Sequence, residues 1–159
     1  MFNDGILWVG VHDGDPRAFA IMRRHYTFQA YADGRRQNPS NPNRFLFVGP
    51  GEKMVLITPD CLALFVWRKF IDKSGQDGVN CAVFRNDGPY LSSELINQAE
   101  VLAAARWPGE RAYTYVNAKN IQSTNPGYCF LCAGWKKLAI TSKSRGLIIL
   151  EKILPANRF

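Results

Sequence analysis

A strand, a helix and a second strand follow one another over residues 79–116, and that order constrains this chain more than any other feature. Residues 79–84 form an apolar run with a buried look, and residues 111–116 read as a strand of aromatic and β-branched residues. Between them, Ser92 or Ser93 is placed to N-cap a helix that runs to about Trp107, where Pro108 and Gly109 end it. Leu95, Ala99, Leu102 and Ala103 give that helix an apolar stripe at i, i+4, i+7 and i+8. A crossover of this length lets the two strands pair in parallel within one sheet.

Around this unit the signals are those of antiparallel strands. Residues 5–11, 45–48, 53–58 and 63–70 read as strands, with turns at 13–16, 49–51, 74–78 and 86–89. Residues 18–31 are ambiguous: Phe19, Met22, Tyr26 and Ala30 fit a helical face, but no cap is evident. Residues 33–44 hold Arg35, Arg36 and Arg44, two prolines and no apolar residue, so a mobile basic loop is expected there. Further on, residues 123–126 look like an N-cap with Pro126 at the first helical position. A short apolar helix through Cys129 and Cys132 then ends at Gly134 and Trp135, and residues 137–141 and 146–151 suit a terminal hairpin. The expected class is α+β: a mixed, mostly antiparallel sheet with one parallel pair, flanking helices and a C-terminal hairpin.

The chain has 159 residues and no internal repeat, so a single domain over 1–159 is expected, and at 47% hydrophobic it can bury a real core. No apolar run approaches the ~20 residues of a membrane span, and the N-terminus lacks the look of a signal peptide. A cytoplasmic protein that does not bind membranes is the expectation. Cys61, Cys81, Cys129 and Cys132 are too few for a disulfide scaffold in a chain this long. The net charge of +7 leans toward polyanions such as nucleic acid or CoA phosphates.

Five constellations could carry chemistry. Arg85, Asn86, Asp87, Gly88, Pro89 and Tyr90 stand between a strand and a helix; a glycine there admits a phosphate to free amides, although an ordinary turn fits the local residues better. Asn125 or Thr124 satisfies the orphan amides of a helix start, or Ser123 or Asn125 holds a substrate amide. Tyr128 could give a proton to a leaving group, or be a half-buried core tyrosine. Cys129 and Cys132 have zinc-like spacing without a second ligand pair, so no metal is expected. Arg23, Arg24, His25 and Tyr26 form the densest basic neighbourhood with Arg35 and Arg36. His25 could be a base near neutral pH, and the usual alternative is a solvated face.

From residue 79 to 153 the layout resembles the GNAT superfamily of N-acetyltransferases. The resemblance implies a splayed parallel pair that admits acyl-CoA, with the pyrophosphate bound before the following helix. The family's loop reads Arg/Gln-x-x-Gly-x-Gly/Ala; Arg85 and Gly88 match, while Tyr90 replaces the last small residue and Pro89 removes an amide. The family's last helix often reads Asn…Tyr…Gly-Phe, which Asn125, Gly134 and Trp135 resemble; Phe130 stands at the usual Tyr position, and Tyr128 lies about 200° round the helix from it. A narrower resemblance, carried by residues 125–135, His25 and Tyr26, is to the phage Mom-like proteins that modify adenine in DNA. That implies transfer of a small acyl-type group to an exocyclic amine, plausibly adenine N6 in DNA, in a host cytoplasm if phage-encoded. Tyr128, His25, Tyr26, Asn117, Ser123 and Asn125 would be catalytic, and Arg85, Gly88, Tyr90, Ser92 and Ser93 would face an acyl-CoA donor such as acetyl-CoA. Arg23, Arg24, Arg35, Arg36 and Arg44 would hold DNA phosphates, and a homodimer is compatible. Two rival expectations stand beside it: an acetyl-CoA-dependent N-acetyltransferase acting on a small amine or protein Lys, and a non-catalytic GNAT relic that binds nucleic acid.

Overall fold

The structure is a computed structural model that describes residues 5–25, 40, 43–71, 75–117, 127–138 and 147–156. The elements run β1 (Val9–Val11), α1 (Pro16–Met22), β2 (Glu52–Ile57), β3 (Ala63–Lys69), β4 (Val79–Asn86), α2 (Ser92–Arg106), β5 (Arg111–Val116), α3 (Tyr128–Cys132), β6 (Lys136–Lys137) and β7 (Ile148–Ile153). They build one seven-stranded mixed sheet in the order β1-β2-β3-β4-β5-β7-β6. The expected α+β class holds. β4 and β5 are parallel across the α2 crossover, every other pair is antiparallel, and β6 and β7 form the expected terminal hairpin. Among the described residues no helix is long and apolar enough to cross a membrane.

The sheet is covered on both faces. On one, α2 and α3 bury Trp8, Phe65, Trp67, Trp135 and Leu150 in a continuous aromatic core. Two indoles fix α2 there: Trp8 Nε1 donates to Leu95 O at 2.8 Å and Trp67 Nε1 to Ala99 O at 3.0 Å. On the other face α1 lays Ala18, Ile21 and Met22 on Val55, Ile57, Leu64, Val66 and Val83. The alternation along β3 explains the division, since Phe65 and Trp67 point one way and Leu64 and Val66 the other.

Three local expectations are corrected. Residues 13–16 are more than a turn: Asp15 is the N-cap of α1, accepting from Arg17 N at 2.8 Å, and Pro16 opens the helix. Residues 45–48 are not a strand, because the amides of Phe47 and Val48 donate to the Asp13 carboxylate at 3.0 and 3.3 Å. Neither Ser92 nor Ser93 caps α2; the N-cap is Leu91, without a side-chain bond, and the Ser92 hydroxyl is held by Asn86. Gly127 at φ 79° is the N-cap of α3, while the expected cap at 123–126, the face around Tyr26 and Ala30, and most of the 33–44 loop lie outside the described residues.

Candidate functional site: a wedge between parallel strands

β4 and β5 start as a close pair and then part. Their register is Val79↔Ala112, Asn80↔Tyr113 and Cys81↔Thr114, yet β4 runs on to Asn86 and β5 to Val116. The cause is a bulge. β3 pairs Trp67 with Cys81 and Val66 with Val83, so Ala82 is an extra residue in β4. A bulge bends its strand and reverses which side chains face each way. Cys81 therefore belongs to the α2 face and Val83 to the α1 face, and pairing with β5 stops at the same point. Thr114 Oγ1 closes the seam by donating to Cys81 O at 2.9 Å. Beyond it lies a wedge in the middle of the sheet.

α3 fills one side of this wedge. Phe130 is buried, edge-on to Phe84 at 5.9 Å and to Trp135 at 4.9 Å. Trp135 Nε1 donates to the buried Glu100 carboxylate at 3.0 Å, and Lys152 Nζ reaches the same carboxylate at 2.7 Å. Gly127 lets the chain enter α3 close to β7: a Cβ there would lie 2.6 Å from Leu150 Cδ1. Tyr128 is consequently left outward, 60% exposed. A hydrogen bond to the Cys132 thiol raises the phenol's pKa, so it keeps its proton at neutral pH. Burial pushes the thiols of Cys129 and Cys81 up as well, so neither is an activated nucleophile.

His25 comes to the wedge from the α1 side. It is buried, and its ring is hydrogen-bonded to the backbone of Phe84, in the stretch of β4 that has left β5. Burial, then the neighbouring Arg85 guanidinium, push its pKa down to about 4. It is neutral at pH 7 and a weak base, which suits seating the strand better than taking a proton. Asn117, half-buried, follows the last residue of β5 at the open end.

The loop after β4 is tied shut. Arg85 Nε donates to Asp87 Oδ2 at 2.8 Å and Arg24 Nε to the same oxygen at 3.0 Å; these partners hold the Asp87 carboxyl below its usual range against the opposing effect of burial. A second Arg85 nitrogen reaches Arg24 O. Asn86 Nδ2 donates to Tyr90 O at 2.7 Å and Ser92 Oγ at 3.0 Å, while its Oδ1 accepts from Gly88 N at 3.0 Å. Asp87 N donates to Leu62 O at 2.7 Å. The Tyr90 ring covers Gly88: a Cβ on the glycine would lie 2.7 Å from Tyr90 Cε2. The Tyr90 hydroxyl bonds to Asp60, whose other oxygen accepts from Thr58 Oγ1 at 2.7 Å.

The structure thus gathers Arg24, Arg85, Gly88, Tyr90 and Ser92 into one loop cluster, joined to His25 through Arg85; Tyr90 packs against the same core as α3, which carries Tyr128. Ser93 is half-buried in the first turn of α2. Arg23 is exposed, and the Arg44 guanidinium stacks 4.5 Å over the Phe45 ring. Tyr26, Arg35, Arg36, Ser123 and Asn125 lie outside the described residues. Sequence reasoning missed Asp60, Thr58 and the organising role of Asn86. Asn86 carried a signal as an Asx-turn residue two before Gly88; Asp60 carried none, because Tyr90 is thirty residues away. Among the described residues no group of three His, Cys, Asp or Glu is arranged to hold a metal ion. Comparison with family models, curated proteins and solved structures finds no match to this chain.

Proposed function

We propose that this chain is a GNAT-like transferase that places a small acyl-type group on an exocyclic amine, with adenine N6 of DNA as acceptor. The observation that carries this reading is the bulge at Ala82, which ends the parallel pairing at Cys81↔Thr114 and opens the sheet between two strands. Ligands of open α/β sheets sit at the carboxyl ends of parallel strands, and bulges recur beside active sites. The amine attacks the acyl carbon of an activated donor, an N–C bond forms, and the bond from that carbon to the leaving group breaks. Tyr128 gives its phenolic proton to the leaving group, the new amide loses its extra proton to solvent, and solvent reprotonates Tyr128. A base in duplex DNA would have to be flipped out to reach the wedge. The net charge of +7 and the exposed Arg23 suit phosphate contacts.

Nucleoside mass spectrometry on DNA from cells expressing the protein tests this reading, beside Tyr128→Phe. A new adenine-derived mass, lost in the variant, is the expected result. The closed β4–α2 loop favours one second reading, a non-catalytic nucleic-acid-binding domain. Unchanged nucleosides together with DNA binding that weakens steeply with salt would select it.

A further inference from the structure

We infer that this site takes a donor whose leaving group carries no pyrophosphate, so that it is not a CoA thioester held in the GNAT manner. The inference rests on the transferase reading for the word donor, and on the loop alone for the exclusion. A pyrophosphate cradle needs converging backbone N–H groups and a glycine that leaves room for the phosphate. Here Asp87 N is taken by Leu62 O, Gly88 N by Asn86 Oδ1, and Pro89 has no N–H to offer. The space over Gly88 holds the Tyr90 ring, which Asp60 fixes from the far side.

The charges point the same way. Asp60 and Asp87 border the loop and Glu94 stands in the first turn of α2, where it already complements the helix start. The guanidiniums of Arg24 and Arg85 both face Asp87. Around them the surface is apolar: Leu62 and Leu91 are exposed beside Pro59 and Pro89. A neutral or cationic donor meets this surface without penalty, and a dianion does not. The reaction stays balanced: an activated carbonyl compound and the amine give an amide and the protonated leaving group, the latter being free of phosphate.

Isothermal titration calorimetry of the full chain with CoA, to millimolar concentration, decides the exclusion. The expected result is no saturable heat and no rise in melting temperature. Saturable binding that Arg85→Gln or Tyr90→Ala weakens would overturn it; binding unaffected by both would overturn it too, by placing CoA elsewhere on the protein. A second arm supplies purified protein and DNA with either acetyl-CoA or a CoA-depleted small-molecule extract of host cells. Modified nucleoside from the extract alone supports the inference. Product from acetyl-CoA alone overturns it while leaving the transferase reading intact. Product from neither, with no heat from CoA, counts against the transferase reading and leaves the exclusion standing.

Discussion

The wedge beside β4 and the loop that leaves it arise from one eight-residue strand, yet they are built in opposite ways. The wedge is made by subtraction: a single extra residue, Ala82, removes a partner strand, and the edge of the gap is set by Thr114 on Cys81. The loop is made by addition: Asn86, Asp60 and Asp87 each bind two or more groups, and Tyr90 seals the glycine. The motif that resembles a known family lies in the closed region. The geometry that suits a reaction lies in the open one. The open stretch and the closed loop are thus neighbours along one strand, and the sheet's own register decides where the one gives way to the other.

The seam where the wedge begins is the least tolerant point of this region. Gly78 stands just before the parallel pair at φ 131°, and a Cβ there would lie 2.2 Å from Arg111 O. Gly78→Ala is expected to cost at least about 3 kcal/mol, from backbone strain and a clash with main chain that has no room to yield. Gly75 also has a positive φ, 82°, but nothing within 4 Å of a new Cβ. Gly75→Ala should cost only about 1 kcal/mol. Urea denaturation of both variants checks the contrast, and equal costs would mean that the seam is not tight.

Next in size is the filling of the wedge against the lining of the loop. Phe130→Ala should cost about 3 kcal/mol, because the ring is buried between Phe84 and Trp135 and α3 is too short to collapse into the space. Leu91→Ala, on the loop, removes a side chain that is 66% exposed and should stay within about 0.5 kcal/mol. Comparable losses at the two positions would erase the distinction between the packed side of the wedge and a surface loop.

His25 supplies a smaller effect with a definite sign. Its folded pKa, about 4, lies below the ordinary 6.5, so the unfolded chain binds the proton more readily. Stability is then fully present above pH 6.5 and falls as the pH drops toward 4, by about 2 kcal/mol once residual solvent screening is allowed for. The lowered carboxyls of Asp15, Asp60 and Asp87 act below their ordinary 3.8, so the window from 6.5 to 4.5 reports the imidazole. Urea midpoints measured across that window should slope in the wild type and be flatter in His25→Gln. A slope retained in the variant would place the titrating group elsewhere.

What was legible in the sequence follows from the range of the interactions involved. The β4–α2–β5 crossover was readable because apolar strands, a helical stripe and a Pro-Gly stop are local signals; Leu95, Ala99 and Ala103 are fully buried as that stripe requires. The cap of α1 was misread because Asp15-Pro16 serves a turn and a helix start equally well, and only the bond to Arg17 N separates them. The strand expected at 45–48 failed because Asp13, far back in the chain, takes its amides. The bulge at Ala82 has no marker of its own, since it is a mismatch between two strands' registers. Tyr90 was visible as a departure from the loop pattern that residues 85–90 resemble, but not its seat over Gly88, which depends on Asp60.

The smallest structural effect belongs to the residue asked to do the most chemistry. Tyr128 is exposed, and its hydroxyl meets a thiol on the same turn of helix rather than the core. Tyr128→Phe should leave the urea midpoint where it is, while the proposed transfer to DNA falls by about 100-fold, the usual size of a lost general acid. Cys132→Ser keeps a hydrogen-bonding neighbour at the phenol and should retain most of the activity. Measured together, midpoint and product separate the two roles a tyrosine can have here. A midpoint that drops with the product would make Tyr128 part of the wall of the wedge, and the proton would then have to come from solvent.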